Sequence, residues 1–259
     1  MQHSTGYIVG FAVAVCLVCA LFVAGSAVTL KPMQQANVVL DRQKKVLTVA
    51  GLIEEGASPP AEEVAAIFER NIRPKVVDME SGAVDPDIDP TGFDQQAAMA
   101  DPERSAPAPP NGAKVQRIPD HGLVFEVVEQ GKLEAMIFPI EGKGLWSTLY
   151  GYIALAPDAR TVVGITFYDH GETPGLGGEV DNPGWKAKWA DRKVFNERWK
   201  PVIAVKKGIA GPPSEDPYQV DGLSGATITS RGVTELVRFW LGDNGFGPYL
   251  AKYRAEAGV

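Results

Sequence analysis

Cysteine is nearly absent. The chain has two, Cys16 and Cys19, and both lie inside an N-terminal apolar run. A C-x-x-C pair signals a redox centre or half of a zinc site when a second pair or a histidine cluster accompanies it. Neither does here, so the two read as small residues of an apolar helix, and no disulfide framework holds the fold. Histidine is scarce too: outside the N-terminal tail only His121 and His170 occur, which leaves a hydrolase triad few candidates for its base. No basic stripe is visible and the formal net charge is −7. Nucleic acid is therefore not an expected partner, because its phosphate backbone demands clustered Lys and Arg. The chain has no G-x-x-x-x-G-K-[ST] phosphate loop, and Gly175-Leu176-Gly177 is not a dinucleotide fingerprint, since Val180 stands where the third glycine belongs.

What the chain does have begins with an apolar run over 7–30 that contains no charged residue. It is long enough to cross a bilayer as a helix. No Lys or Arg precedes it and it is longer than the apolar stretch of a secretory leader, which favours an uncleaved anchor over 1–31. Lys31, Arg42, Lys44 and Lys45 follow the span, and the positive-inside rule taken alone puts the bulk of the protein in the cytoplasm.

Residues 34–51 read as a helix continuing or closely following the span. Ser58, Pro59, Pro60, Glu62 and Glu63 carry helix-start signals, a capping hydroxyl, early proline and first-turn acids. That helix would turn Val64, Ile67 and Phe68 inward and end before Pro74. Residues 85–111, rich in Pro, Asp, Ala and Gly, read as irregular surface, so 32–113 forms a helical and irregular connecting region. From 114 to 259 the chain reads as one folded domain. Runs at 123–128 and 133–140 flank Gln130-Gly131, and runs at 150–155 and 161–167 flank Pro157-Asp158, two hairpins by composition. A further strand is expected at 202–205, and helices at 184–199 and 229–241. The fold class is α+β, with a mainly antiparallel sheet, because the hairpin turns are too short for parallel crossovers.

The string DGLSGAT at 221–227 opens the last of these helices. Gly222 and Gly225 let the backbone turn and approach a ligand, and hydroxyls follow on Thr227, Thr229 and Ser230. Val233, Leu236, Val237 and Trp240 fall at helical spacing and fix the helix against a core. A fixed helix N-terminus with free N–H groups suits a phosphate. The same string nearly matches the nucleophile elbow G-x-S-x-G around Ser224, but Ala226 occupies the final glycine position. Two further glycine-bearing loops stand out. One, at 142–148, offers Trp146, Ser147 and Thr148; the other, at 170–179, is dense in turn residues. His170 with Glu172 and Glu179 makes a poor ligand set for a metal, and none is expected. Three loops open to close approach, one suited to phosphate, point to a planar phosphorylated ligand such as flavin mononucleotide. Lys206 and Lys207, at the end of an expected strand, offer positive charge to its phosphate or its reduced ring.

DGLSGAT resembles the flavinylation signature of FMN-binding domains, in which a flavin transferase joins the threonine closing S-G-A-T to the phosphate of FMN. HGETPGLGGEV at 170–180, GLWSTLYGYIAL at 144–155, NVVLDRQKKVLTVAGL at 37–52 and FWLGDNGFGPYL at 239–250 are similar to the C subunits of the bacterial Na⁺-translocating NADH:quinone oxidoreductases. The G subunit of the related electron-transport complex shares the flavin domain and S-G-A-T, but the block at 37–52 favours the C subunit. The resemblance implies covalent FMN on Thr227, with Thr229 as fallback, and Asp221, Ser224, Gly225 and Ala226 as the string read by the transferase. It implies that Trp146, Ser147, Thr148, Glu172, Thr173, Leu176 and Gly177 line the flavin, with Lys206 or Lys207 near it, and that no catalytic group acts beyond the flavin. The chain is then an electron carrier among the other subunits of a complex in the bacterial inner membrane, one that oxidises NADH, reduces ubiquinone and drives Na⁺ outward. Its soluble domain then faces the periplasm, against the local charge count. Basic residues expected before the span are missing. The rival from another class is a membrane-anchored binding or assembly protein that uses the domain without flavin.

Overall fold

A computed structural model describes residues 4–259, and the chain divides into two units, with the boundary after Arg42. Within the first unit runs most of helix α1, Thr5–Val49, which contains Pro32. Phe11, Leu17, Leu21 and Phe22 on it are exposed. So much bare apolar surface is unfavourable in water and at home among lipid chains. The helix is long and apolar enough to cross a membrane, a form compatible with a single-pass anchor.

The second unit starts with the last turns of α1, whose Val46, Leu47 and Val49 are buried. Helix α2, Ala61–Asn71, follows. Pro60 occupies its N-cap position with no side-chain cap, so the capping hydroxyl expected at Ser58 is not used. The chain then enters strand β1, Ile72–Asp78, which sequence patterning misses because Pro74 lies within it. A proline is tolerated there because the main sheet runs in the order β1-β4-β5-β6-β7, with β1 at an edge. The stretch expected to be irregular contains a short helix α3, Gln95–Ala100, capped by the Asp94 carboxylate, and strand β2, Ser105–Pro107, which pairs with β3, Arg117–Pro119, just beyond it.

The hairpins form as expected. They are β4, His121–Glu129, with β5, Lys132–Lys143, and β6, Thr148–Leu155, with β7, Val162–Asp169, and every pairing in the main sheet is antiparallel. One sheet face presents Met136, Phe138, Ile140, Leu149 and Ile153 to a core shared with helices α5, Thr227–Trp240, and α6, Gly247–Ala257. Phe138 and Phe246 rings lie 5.1 Å apart in that layer. On the opposite face Phe68 of α2 meets Phe125 edge-on at 6.2 Å.

Two expected elements differ. The helix expected over 184–199 forms only as α4, Pro183–Lys186, followed by a 3-10 turn at Ala187–Trp189. Beyond it the backbone pairs with the edge of β7: Val162 N–H donates to Arg192 O at 2.7 Å and Val194 N–H to Arg160 O at 2.9 Å. These edge contacts take the groups a helix would have used. The strand expected at 202–205 shrinks to β8, Ala204–Val205, paired in parallel with β9, Gln219–Val220. The carbonyls of Val202 and Ile203 are taken instead by the Arg238 guanidinium of α5, at 2.7 and 2.8 Å.

Helix α5 packs so closely on β5 that a Cβ at Gly232 would stand 2.2 Å from the carbonyl oxygen of Lys143. Gly232→Ala is therefore expected to lower stability by about 2 kcal/mol, although alanine is the better helix former. A thermal melt of the full-length chain in detergent checks this, and an unchanged or raised Tm would contradict the close packing.

Candidate functional site

Three loops converge on one carboxylate. Glu172 is buried, and it accepts hydrogen bonds from the backbone N–H of Trp146 at 2.8 Å and of Leu145 and Ser147 at 3.2 Å. The Thr229 hydroxyl donates to Glu172 Oε2 at 2.6 Å. Burial by itself raises the Glu172 pKa, but the hydrogen bonds from Thr229, Trp146, Ser147 and Leu145 together outweigh it and hold the group below the ordinary carboxylate range. It is thus a fixed anion that ties the 142–148 loop, the 170–179 loop and the first turn of α5 together. A Cβ at Gly177 would lie 2.6 Å from Glu172 Oε2 and 2.7 Å from Thr229 Oγ1, and one at Gly144 would lie 2.5 Å from Glu172 Oε1, so both glycines are steric requirements of this brace.

The other donors around it are also committed. Ser147 Oγ accepts from Gly171 N–H at 2.7 Å and donates to the Thr148 carbonyl. His170 Nε2 meets Asp181 at 2.8 Å while its Nδ1 accepts from Glu172 N–H, an arrangement that places the ring proton on Nε2. Glu179 accepts from the Asn182 amide at 2.7 Å. His170, Glu172 and Glu179 therefore each bond elsewhere instead of converging on one point.

Thr227 is the first residue of α5 and is exposed, whereas Thr229 is 1% exposed. Ala226 in the N-cap position offers no side-chain cap, so the first amides of the helix retain hydrogen-bonding capacity toward an anion. Gly225 adopts φ 71°, and a Cβ there would meet Leu176 Cδ2 at 2.9 Å; only glycine allows this turn beneath Leu176. A cleft of about 640 Å³ opens beside the loop, and Ser224, Gly225 and Thr227 border it together with Lys188, Lys206, Lys207 and Arg231.

Asp221 is buried, and its carboxylate is occupied by Lys188 Nζ and by Ala210 N–H at 2.9 Å, while its carbonyl accepts from Trp185 Nε1 at 2.8 Å. Burial raises its pKa, but the Lys188 and Ala210 hydrogen bonds outweigh that and lower it. Asp221 thus braces the loop from inside.

The expected flavin-lining residues fall on two flanks. Lys206 and Lys207 border the cleft with Thr227, and Lys206 lies 3.5 Å from Asp216. On the other flank Trp146 is 70% exposed, Leu176 and Thr173 are exposed, and the Thr173 carbonyl accepts from Leu176 and Gly178 N–H. Trp146, Ser147, Thr148, Glu172, Thr173, Leu176 and Gly177 do not border the cleft; the flanks meet at the Gly225–Leu176 and Thr229–Glu172 contacts. Two cations of the cleft escaped the sequence reading. Arg231 was legible as the residue one helical turn beyond Thr227. Lys188 was not, because the broken helix that carries it reaches the cleft only through tertiary folding.

An apolar flank, uncapped helix amides and a cationic cleft at the exposed Thr227 hydroxyl fit a flat ring that carries a phosphate. Comparison with known proteins agrees. Residues 144–242 match the FMN-binding domain family. The chain is 47% identical over 256 residues to the C subunit of the Na(+)-translocating NADH-quinone reductase of Pseudomonas aeruginosa, covering 98% of this chain and 97% of that protein. Its counterpart in Vibrio anguillarum is 43% identical, with 93% and 92% covered. Among solved structures, Shewanella oneidensis NqrC superposes with a TM-score of 0.76 at 35% identity, covering 83% of this chain and 97% of the other. The C subunit of the reductase from Parabacteroides distasonis gives 0.65 at 28% identity, with 85% and 96% covered.

Proposed function

Because the chain belongs to the C-subunit family of the Na(+)-translocating NADH-quinone reductases, we propose that it carries FMN as a phosphoester on Thr227 and relays electrons between neighbouring subunits of that complex. The observation that carries the reading is the contrast between two threonines in one helical turn: Thr227 is exposed at an uncapped helix start beside four cations, and Thr229 is buried with its hydroxyl spent on Glu172. A transferase can reach the first and not the second. Bound FMN would supply a centre that accepts and releases electrons.

The protein's own groups do the rest. The uncapped amides and cleft cations face the phosphate position. The flank with Trp146, Thr173 and Leu176 offers a surface for the ring, and Glu172 keeps that flank in register with Thr227. A relay cofactor must stay near the surface so that partners approach closely, and so shallow a site buries little ligand. A covalent tether replaces affinity with high effective concentration. The flavin-carrying part is 114–259, and α1 holds it at the bacterial inner membrane. Partners are the other subunits and, during maturation, a flavin transferase that reads the 221–227 loop, with Asp221 shaping that loop from within.

The test is a denaturing gel under ultraviolet light. Full-length chain from a host that has the transferase is expected to show a flavin-fluorescent band. A dark band would sink the carrier reading and favour a membrane-anchored binding protein.

The soluble unit is proposed to face the periplasm. Gly92 is exposed and a Cβ there meets nothing within 4 Å, so Gly92→Cys should leave the fold intact. It is expected to react with an impermeant thiol reagent in intact cells, the native Cys16 and Cys19 being shielded by lipid. Protection of Cys at 92 in intact cells, with labelling after lysis, would place this unit in the cytoplasm.

A further inference from the structure

Ion pairing sorts the four cations of the cleft into two kinds. Lys188 is bound to Asp221, and Lys206 faces Asp216 at 3.5 Å. Lys207 and Arg231 are exposed, and neither makes a side-chain hydrogen bond or ion pair among the described residues. The charge available to a ligand therefore comes from these two, because a lysine neutralised by an adjacent carboxylate adds little net field.

Arg231 is also placed for one target. It follows Thr227 by one turn of α5, so the two side chains share a helix face. Side chains on a helix lean toward its N-terminus, which carries the Arg231 guanidinium back over the turn that bears the Thr227 hydroxyl. A guanidinium matches two phosphoryl oxygens with a pair of parallel N–H groups, a geometry an ammonium lacks.

We infer that Arg231, with Lys207 across the cleft, grips the phosphoryl group carried on Thr227. The contact rests on the phosphoester reading and goes beyond it: the hydroxyl supplies the bond, and Arg231 sets how the phosphate is received and how firmly the attached flavin is held. A phosphodiester has a single ionised oxygen in the working pH range, so this contact persists across it. Lys188 and Lys206, already paired, support the cleft walls.

The experiment uses the full-length chain co-expressed with a flavin transferase. It measures the time course of covalent flavin on denaturing gels and the fluorescence anisotropy decay of the attached flavin. In Arg231→Ala, loading is expected to slow by about tenfold, the range of a lost charge-assisted hydrogen bond, and the decay should gain a fast component from a loosened ring. Arg231→Lys separates charge from fork: loading should largely recover while the fast component remains. Arg231 has no internal partner among the described residues, so the circular dichroism melts of both variants should match the parent.

Loading and anisotropy unchanged in Arg231→Ala, with the parent chain loaded, would overturn this inference alone. A parent chain that takes up no flavin would overturn the phosphoester reading and this inference together. Slow loading in Arg231→Lys equal to that in Arg231→Ala, with normal melts, would overturn the part given to charge in receiving the phosphate.

Discussion

Thr227→Ala is expected to give a chain that folds normally and shows no covalent flavin at all, while Thr229→Val keeps the flavin and melts at a lower temperature. The two threonines lie two residues apart and differ in every physical respect that matters. Thr227 is exposed and makes no side-chain hydrogen bond among the described residues, so its loss removes an accessible hydroxyl and nothing else. Thr227→Ser, which restores that hydroxyl, is expected to load. Thr229 is 1% exposed and donates to Glu172 at 2.6 Å. Its replacement by valine removes a charge-assisted hydrogen bond, at a cost of about 2 kcal/mol. Gel fluorescence and thermal melts on the same preparations read both effects. Fluorescence retained in Thr227→Ala and lost in Thr229→Val would move the attachment site to Thr229.

Glu172→Gln is expected to cost about 3 kcal/mol at neutral pH, lowering Tm by roughly 10 °C for a unit of this size. The carboxylate serves three backbone N–H groups and one hydroxyl. An amide offers one oxygen and turns an NH₂ toward donors, so at least one buried donor on the other side is left without a partner. Exchange protection at the amides of Leu145, Trp146 and Ser147 should fall most.

The pH dependence follows from the direction of the shift. The folded-state pKa of Glu172 lies below its ordinary value of 4.5, so its contribution is complete above pH 4.5. It is lost progressively as pH falls from there through the depressed folded value. Asp221 behaves in the same sense from its ordinary value of 3.8. The parent chain should therefore lose Tm as pH drops below 4.5, and Glu172→Gln should show a shallower slope over that range. Equal melts for parent and variant at neutral pH would show that the loops hold their places without this carboxylate.

Much of this was readable from the chain. The apolar run at 7–30, the hairpin signals at Gln130-Gly131 and Pro157-Asp158, and the 3.6-residue spacing of Val233, Leu236, Val237 and Trp240 are local patterns, and local patterns survive without tertiary context. Helix α6 and strand β1 escaped because each carries a proline, Pro248 and Pro74, whose tolerance depends on position within the element. A first-turn proline suits a helix start and an edge-strand proline loses no ladder bond, but neither position is known before the fold.

The role of Glu172 shows the same boundary within the site. The family resemblance put it beside the flavin, while its four donors come from residues up to 57 positions away in the chain, a convergence that spacing cannot disclose. Asp221 likewise stands in a string expected to be read from outside, and its carboxylate turns inward to Lys188 and Ala210.

By itself the sequence determined the anchor-length apolar run, the α+β class, the family through its ordered motif blocks, and the candidacy of a threonine at the start of α5, because all of these are encoded in contiguous residues. Only the tertiary structure decided which of the two threonine hydroxyls is free, which cations are unpaired and which carboxylate locks the loops. Those properties belong to burial and pairing between distant segments, where one buried hydrogen bond makes Thr229 a brace and its absence leaves Thr227 open to chemistry.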